Sequence, residues 1–244
     1  MFELSEILII LAIFAVAILY SSVGHGGASG YLAVMALLAV SPAVTRPTAL
    51  VLNLFVASIA FLQFYLAKHF DWKVFLPFAA ASVPMAFVGG MIQLPVAVYK
   101  IILGAVLMLA AVRLWLNLKS ENELRAPKIW LALTIGAILG LVSGLIGVGG
   151  GIFLTPILLL MNWTETKKAA GVSALFILVN SFSGLLGNYA QVSQLSSVVW
   201  FWISAAIIGG IIGSTLGSYR FNSLILRRVL AVGLLLAGVK LIFT

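Results

Sequence analysis

The sequence predicts an all-α polytopic membrane protein built from two inverted-topology repeats. Three observations support this fold class: an apolar composition, a series of apolar runs of membrane-spanning length, and a glycine cluster that occurs twice. Of the 244 residues, 63% are hydrophobic and only 8% are charged, whereas a soluble domain carries about a quarter charged residues. With a mean hydropathy of +1.22, nearly the whole chain is expected to lie within a lipid bilayer.

Ten apolar runs mark the expected helices. A helix that spans the hydrocarbon core needs roughly 20 residues; eight of the runs are near that length, and two are short. Each short run directly follows a glycine cluster, which suggests a break in the helix at that point. In chain order the runs are 4–20, 28–40, 48–67, 74–92 and 96–118, then, after the polar stretch 119–128, 129–146, 152–161, 169–187, 198–218 and 224–244.

The glycine clusters also indicate an internal repeat. Residues 22–28 (SVGHGGA) resemble residues 145–151 (LIGVGGG) at an offset of 123 positions, and the order of long and short runs is the same after each cluster. We therefore divide one membrane domain into a first repeat, 1–122, and a second repeat, 123–244. Each repeat is predicted to be a glycine-broken helical hairpin followed by three transmembrane helices.

The lysine and arginine residues decide between two paths of the chain at the glycine clusters. If each cluster only interrupts one long helix, seven basic residues fall on each side of the membrane. If the chain turns back at each cluster, eleven fall on one side and three on the other, in agreement with the positive-inside rule. We therefore predict hairpins, both termini outside the cytoplasmic membrane, and a cytoplasmic central loop 119–128.

Turning back at each cluster makes the repeats run in opposite directions, an arrangement typical of secondary transporters, which bind substrates near the midplane where the repeats meet. Two short helices then begin inside the membrane, and the free N–H groups of a helix N-terminus attract anions. The alternative is that the glycines serve only close packing, but packing motifs space small residues four apart. The predicted anion site comprises Gly24, Gly26 and Gly27 with Gly147, Gly149, Gly150 and Gly151.

Polar side chains within the apolar runs are candidates to complete this site. Asn53 and Asn180 each place an amide among apolar residues, where it needs hydrogen-bond partners. Ser173 lies seven residues before Asn180 and so shares its helix face, while Ser29 follows the first cluster. Each hydroxyl alone could instead bond to its own helix, so the prediction rests on the set of residues.

Two ionisable residues each allow two interpretations. His25 lies inside the first glycine cluster, and an ionisable side chain at membrane depth suggests a function, such as carrying a coupling proton; the alternative is that it braces the hairpin. Arg46 stands next to Pro47 at the end of an apolar run. There it is expected either to recruit anions at the outer mouth or only to extend its charge into the interface.

Several classes of function are disfavoured. The basic residues are scattered singly, which indicates membrane topology rather than nucleic-acid binding, and no cysteine or deeply placed carboxylate is available for a metal or cofactor. Residues 27–30 (GASG) resemble the serine motif of rhomboid intramembrane proteases, but the only later histidine, His69, stands beside Lys68 at a run end. We therefore expect no enzyme and no catalytic residues, and an intramembrane serine protease is the weakest alternative.

The chain resembles the sulfite exporter TauE/SafE family, also called the toluene sulfonate uptake permeases. Residues 144–156 (GLIGVGGGIFLTP) are close to that family's signature, and 169–173 (AAGVS) and 179–181 (VNS) are similar to the stretch that follows it. The first repeat departs from this pattern at His25 and at Ala33, where the second repeat has proline. The resemblance implies a transporter of sulfur oxyanions or organosulfonates, for export or for uptake, in the cytoplasmic membrane.

The expected partners are a small sulfur-containing anion and the lipid bilayer, and not nucleic acid. A secondary transporter with its anion between the two glycine-rich tips is the main hypothesis, and an anion channel of the same fold is the first alternative. The sequence leaves open whether the protein forms a homo-oligomer.

Overall fold

The computed structural model describes residues 4–22, 24–116, 124–192, 195, 197–219 and 224–243. These residues form helices joined by turns and linkers, and no strand occurs among them. The predicted repeat boundary between residues 122 and 123, and residues 119–123 of the predicted central loop, lie outside the described residues. The helices are α1 (Leu4–Ser21), α2 (Ala28–Leu37), α3 (Pro42–Leu66), α4 (Trp72–Met91), α5 (Val96–Trp115), α6 (Ile129–Ile146), α7 (Gly151–Leu160), α8 (Thr166–Gly187), α9 (Tyr189–Val192), α10 (Val199–Tyr219) and α11 (Leu224–Phe243).

Within the described ranges, five helices are long and apolar enough to cross a membrane: α3, α4, α6, α8 and α10. Helices α2 and α7 contain 10 residues each and are largely buried. At ~1.5 Å per residue each reaches only about 15 Å, half of the ~30 Å hydrocarbon core. The prediction of an all-helical polytopic membrane protein is confirmed, and both short helices follow the glycine clusters.

Helix α3 begins at Pro42 rather than at the predicted residue 48, and this correction moves Arg46 inside the helix. Proline suits the first helical position because the N–H that it lacks would have no partner there. The hydroxyl of Thr45 donates to the carbonyl of Ser41 over 2.8 Å. The hydroxyl of Thr45 is thus satisfied within the protein, which local hydropathy does not reveal.

Stripes of glycine bring the two halves of the chain into backbone contact. Three glycines spaced four apart on α6 lie against the backbone of α4, and three on α10 lie against the backbone of α1 and of Ser22, the residue after it; this spacing is a packing motif of membrane helices. Helix α5 also packs on α11, and α3 on α8. The halves are therefore interleaved. The stripes are Gly136, Gly140 and Gly144 on α6, and Gly209, Gly213 and Gly217 on α10.

Contacts between loops identify those that share one end of the molecule. Gly171, near the start of α8, packs on the carbonyl of His69 in the turn between α3 and α4. Partial burial lowers the pKa of His69, and the nearby Lys167 lowers it further. The N–H of Arg125, ahead of α6, donates to the carbonyl of Asn162 over 2.8 Å. The α3–α4 turn lies at the start of α8, and the segment before α6 contacts the α7–α8 turn, so these loops share one end.

The other end of α3 adjoins the end of α2, where Nζ of Lys240 donates to the carbonyl of Leu37 over 2.8 Å. A straight path through the glycine clusters would separate residues 68–73 from residues 167–168 by the full membrane. A path that turns back at each cluster places both on the same side. The hairpin path stays a prediction, and it is the path that agrees with these contacts.

Cysteine labelling tests this topology directly, because the chain has no cysteine of its own. Single cysteines at Lys128 and Glu165, both exposed, should react with a membrane-impermeant maleimide only from the cytoplasmic side. Cysteines at Gln93 and Gln191 should react only from the opposite side. Labelling of the Lys128 and Glu165 positions from opposite faces would contradict the hairpins.

Candidate functional site

Two glycine linkers inside the protein define the candidate site. The first linker, residues 22–27, joins α1 to α2, and the second linker, residues 147–150, joins α6 to α7. Five of their glycines adopt left-handed φ angles between +74° and +92°, which would cost other residues about 1–2 kcal/mol each. The linkers therefore turn sharply just before each short helix begins. These glycines are Gly24, Gly27, Gly147, Gly149 and Gly150.

The two linkers meet at one point on α3 and α8. A Cβ atom built on Gly26 would lie 2.6 Å from Oδ1 of Asn53 and 2.9 Å from Cγ2 of Ile177. A Cβ atom built on Gly149 would lie 2.7 Å from Nδ2 of Asn53 and 2.9 Å from the same Ile177 methyl group. The amide of Asn53 therefore lies between the linkers, in contact with both.

Each linker also lies along the long helix of the other half. Gly24 of the first linker packs on Ala170 of α8, on the N-terminal side of Ile177. A Cβ atom on Gly147 of the second linker would lie 3.0 Å from the carbonyl oxygen of Arg46 on α3. Close backbone approach of this kind requires glycine, so the clusters join the halves as well as turn the chain.

Several backbone N–H groups of the two linkers have no backbone hydrogen-bond partner among the described residues. Around the first linker, the described backbone hydrogen bonds use the N–H groups of Gly24, His25 and Tyr31, and not those of Gly26 and Gly27. Around the second linker they use the N–H groups of Gly147, Phe153 and Leu154, and not those of Gly149 and Gly150. Each pair precedes a helix N-terminus, whose partial positive charge favours an anion.

The two asparagines are fully buried, each with 0% exposure, and each amide is only partly satisfied. Nδ2 of Asn53 donates to Oγ of Ser181 over 3.2 Å, and Nδ2 of Asn180 donates to the carbonyl of Phe176 over 2.7 Å. The Oδ1 atoms of both asparagines have no hydrogen-bond partner among the described residues. The site therefore contains two free acceptors as well as free N–H donors.

A chain of hydrogen bonds connects the first linker to α7 and α8. Nε2 of His25 lies 3.3 Å from Oγ1 of Thr155, and that hydroxyl lies 2.8 Å from Oγ of Ser173. Thr155 also lies within 3.3 Å of the carbonyl of Gly151. His25 is only 4% exposed. These contacts connect the first linker to the second half of the chain.

Thr155 and Ile177 are central to this geometry, and sequence reasoning did not select either. Thr155 lies four residues after Gly151, so it stands on the same face of α7, one turn from the second linker. This four-residue spacing was the sequence pattern that could have predicted a role for Thr155. Ser29 is buried in the first turn of α2.

Arg46 does not lie at an exposed outer mouth. Its side chain is 4% exposed. Its guanidinium donates to the carbonyls of Gly89, Gly90 and Ile92 at 2.8, 2.6 and 2.9 Å. These carbonyls belong to the last turn of α4 and the residue after it, where no intrahelical donor remains. The arginine therefore caps α4 from inside the protein, and the expectation that its charge extends into an exposed outer mouth or interface is wrong.

The family model for the sulfite exporter TauE/SafE family matches residues 9–241 of the chain. The chain belongs to this family. Probable membrane transporter protein y4hK from Sinorhizobium fredii is 37% identical over 96% of both chains. Probable membrane transporter protein YjnA from Bacillus subtilis is 26% identical over 98% of this chain and 100% of its own.

A probable membrane transporter protein from Xylella fastidiosa is 34% identical over a shorter stretch, 46% of this chain and 43% of its own. No solved structure matches the chain. The TauE/SafE family and the names of these relatives indicate a membrane transporter and not an enzyme, which confirms both predictions at that level.

Proposed function

We propose that this TauE/SafE protein is a secondary transporter that moves sulfur-containing anions, such as sulfite or organosulfonates, across the cytoplasmic membrane. The observation that carries the proposal is the meeting of the two glycine linkers at Asn53, with N–H groups of Gly26, Gly27, Gly149 and Gly150 free of backbone partners. An anion held there would lie between the N-termini of α2 and α7, near the midplane.

Backbone N–H groups suit the binding of an anion that must also be released. A hydrogen bond to a charged group contributes about 1.5–3 kcal/mol, so two or three of them give useful affinity without a direct salt bridge. Arg46 adds a positive charge two helical turns from Asn53, at a distance of about 10 Å. We assign it the role of raising the local potential from within the protein.

Other predicted site residues shape and brace the anion site. Gly24 and Gly147 allow the linkers to lie against α8 and α3. Gly151 is the first residue of α7 and packs against Ile177. The His25–Thr155–Ser173 hydrogen bonds hold the first linker against the second half. These contacts would change when the transporter alternates between its outward-facing and inward-facing states.

The close packing between the linkers supports a transporter rather than an anion channel. Gly26 and Gly149 both lie too close to Asn53 and Ile177 to admit even one additional methyl group without displacing a neighbour. An open channel would need a continuous water-filled path through this point. A transporter passes through states in which its site is closed, and this packing fits such a state.

Ligand stabilisation and flux measurements test the proposal together. Purified protein should be stabilised against thermal unfolding by at least one of sulfite, sulfate, thiosulfate, taurine or sulfoacetate, because a ligand of the folded state adds RT ln(1 + [L]/Kd) to its stability. Acetate and chloride at the same ionic strength are the controls. In liposomes, the stabilising anion should show saturable uptake and counterflow. Ohmic conductance would instead indicate a channel, and equal stabilisation by acetate would contradict selectivity for sulfur anions.

A further inference from the structure

We propose that the transported anion carries its own hydrogen-bond donor, an O–H or N–H group, and that Oδ1 of Asn180 receives it. This inference rests on the proposed function and narrows its substrate to one chemical class. Anions that offer only acceptors, such as sulfate or an alkanesulfonate, are then poor ligands.

The orientation of Asn180 is fixed by its partner. Its amide nitrogen lies 2.7 Å from the carbonyl oxygen of Phe176, and a carbonyl oxygen can only accept a hydrogen bond. Turning the amide over would place two acceptors against each other. Oδ1 of Asn180 is therefore held as an acceptor, and it has no partner while its residue is 0% exposed.

The position of Asn180 follows from the antiparallel register of α7 and α8. Thr155 is hydrogen-bonded to Ser173, and Gly151 packs against Ile177, so a step of four residues back along α7 matches a step of four forward along α8. Gly149 of the second linker lies one turn further along α8, because a Cβ atom built on it would lie 3.3 Å from Oγ of Ser181, and Asn180 directly precedes Ser181 on that helix.

Asn53 lies on the other side, and its partner does not fix its orientation in the same way, because Oγ of Ser181 can donate as well as accept. Its Nδ2 faces Gly149 and Ser181, and its Oδ1 faces Gly26. The point at which the linkers meet thus combines N–H donors with carbonyl-type acceptors. A substrate whose acidic head accepts from the linkers, and whose O–H or N–H donates to an asparagine oxygen, would satisfy both sets of groups.

Leaving a buried acceptor unpaired is unfavourable, and this cost distinguishes ligands of similar size. A sulfonate with a hydroxyl group pairs the amide oxygen, while the same sulfonate without the hydroxyl leaves it unpaired. A methyl ether of the same length is worse still, because its oxygen faces another acceptor. Sites that hydrogen-bond a substrate group reject analogues that lack it for this reason.

Three ligands on one skeleton provide the test: 2-hydroxyethanesulfonate, ethanesulfonate and 2-methoxyethanesulfonate. Affinities for purified wild-type protein should rank the hydroxyl compound at least about tenfold above the other two. In Asn180→Leu, which keeps the branching at Cγ and removes the acceptor, the three affinities should become equal. Ser183→Ala is the matched control, because Ser183 lies on the same helix but donates to the carbonyl of Val83, and it should keep the ratio.

The outcomes separate this inference from the proposed function. If ethanesulfonate or sulfate binds as tightly as the hydroxyl compound, the donor requirement is wrong and the transporter proposal stands. If no sulfur anion binds at all, both fail. A tenfold preference that persists in Asn180→Leu would show that Asn180 is not the receiving group; the wild-type ranking needs no variant to fold.

Discussion

Replacing Gly26 or Gly149 by alanine is expected to abolish anion binding while the protein remains folded. At Gly26 the new methyl group would lie 2.6 Å from Oδ1 of Asn53 and 2.9 Å from Cγ2 of Ile177, distances at which a neighbour must move. The displaced amide would lose its hydrogen bond to Ser181 and the methyl group would enter the space between the linkers. We expect affinity to fall at least about a hundredfold, since several charge-assisted hydrogen bonds are lost together.

The two substitutions separate blocking from backbone strain. Gly149 has φ +78°, so alanine there also adds about 1–2 kcal/mol of strain, whereas Gly26 is not among the glycines with positive φ. Gly149→Ala should therefore lower the thermal stability more than Gly26→Ala, while both remove binding. A common loss of binding with unequal stability would identify steric blocking as the cause.

Gly184→Ala is the matched control for both variants. Gly184 lies on α8, and its added Cβ would find its nearest atoms, in Gly144 and Leu50, at 3.5 Å, an ordinary van der Waals distance. This variant should bind and transport as the wild type does. Thermal shift with ligand and liposome uptake are the measurements. Wild-type affinity in both Gly26→Ala and Gly149→Ala would place the anion elsewhere.

Much of the fold was accessible from the sequence because membrane helices follow composition and length. Helices α2 and α7 were predicted from runs too short to span a bilayer, and the glycine clusters before them correctly marked the two linkers. The same clusters led to Gly26 and Gly149 as site residues, and isolated amides in apolar runs led to Asn53. Those three residues are in contact in the structure.

Features that depend on contacts distant in sequence could not be predicted. Thr155 gains its role from His25, which is 130 residues away in the chain, and Ile177 gains its role from touching both linkers. Local hydropathy began the third run only after Arg46 and Pro47, because a charge and a proline stand together there. The carbonyl groups that pair with that charge lie at the end of α4, more than forty residues later. No local sequence pattern predicts this pairing.

The burial of Arg46 changes what its substitution should do. An exposed arginine at an outer mouth would act on the rate of anion capture, since peripheral charges mainly affect encounter. The buried guanidinium instead donates to three carbonyls at the end of α4, at the junction where Gly89 and Gly90 pack on the backbones of α6 and α8. Removing it leaves those carbonyls without donors in an apolar region.

Arg46→Gln is therefore expected to lower the stability of the folded protein by at least about 3 kcal/mol, because hydrogen bonds to charged groups contribute roughly 1.5–3 kcal/mol each. Arg46→Lys should be intermediate, since it keeps the charge but lacks the planar fork that reaches several acceptors at once. The melting temperature in the absence of ligand measures this effect, and equilibrium affinity for the stabilising anion should also weaken as α3 and the second linker shift.

Lys240→Gln is the matched control for Arg46, because Lys240 also donates to a carbonyl at the end of a helix, that of Leu37, but in an exposed position. Exposed interactions of this kind contribute only about 0–1 kcal/mol, so the melting temperature should hardly change. If Arg46→Gln keeps the wild-type melting temperature and slows only uptake from outside, Arg46 recruits anions at the surface and its buried role in capping α4 is wrong. A large loss of stability in Arg46→Gln alone is the result that the buried geometry requires.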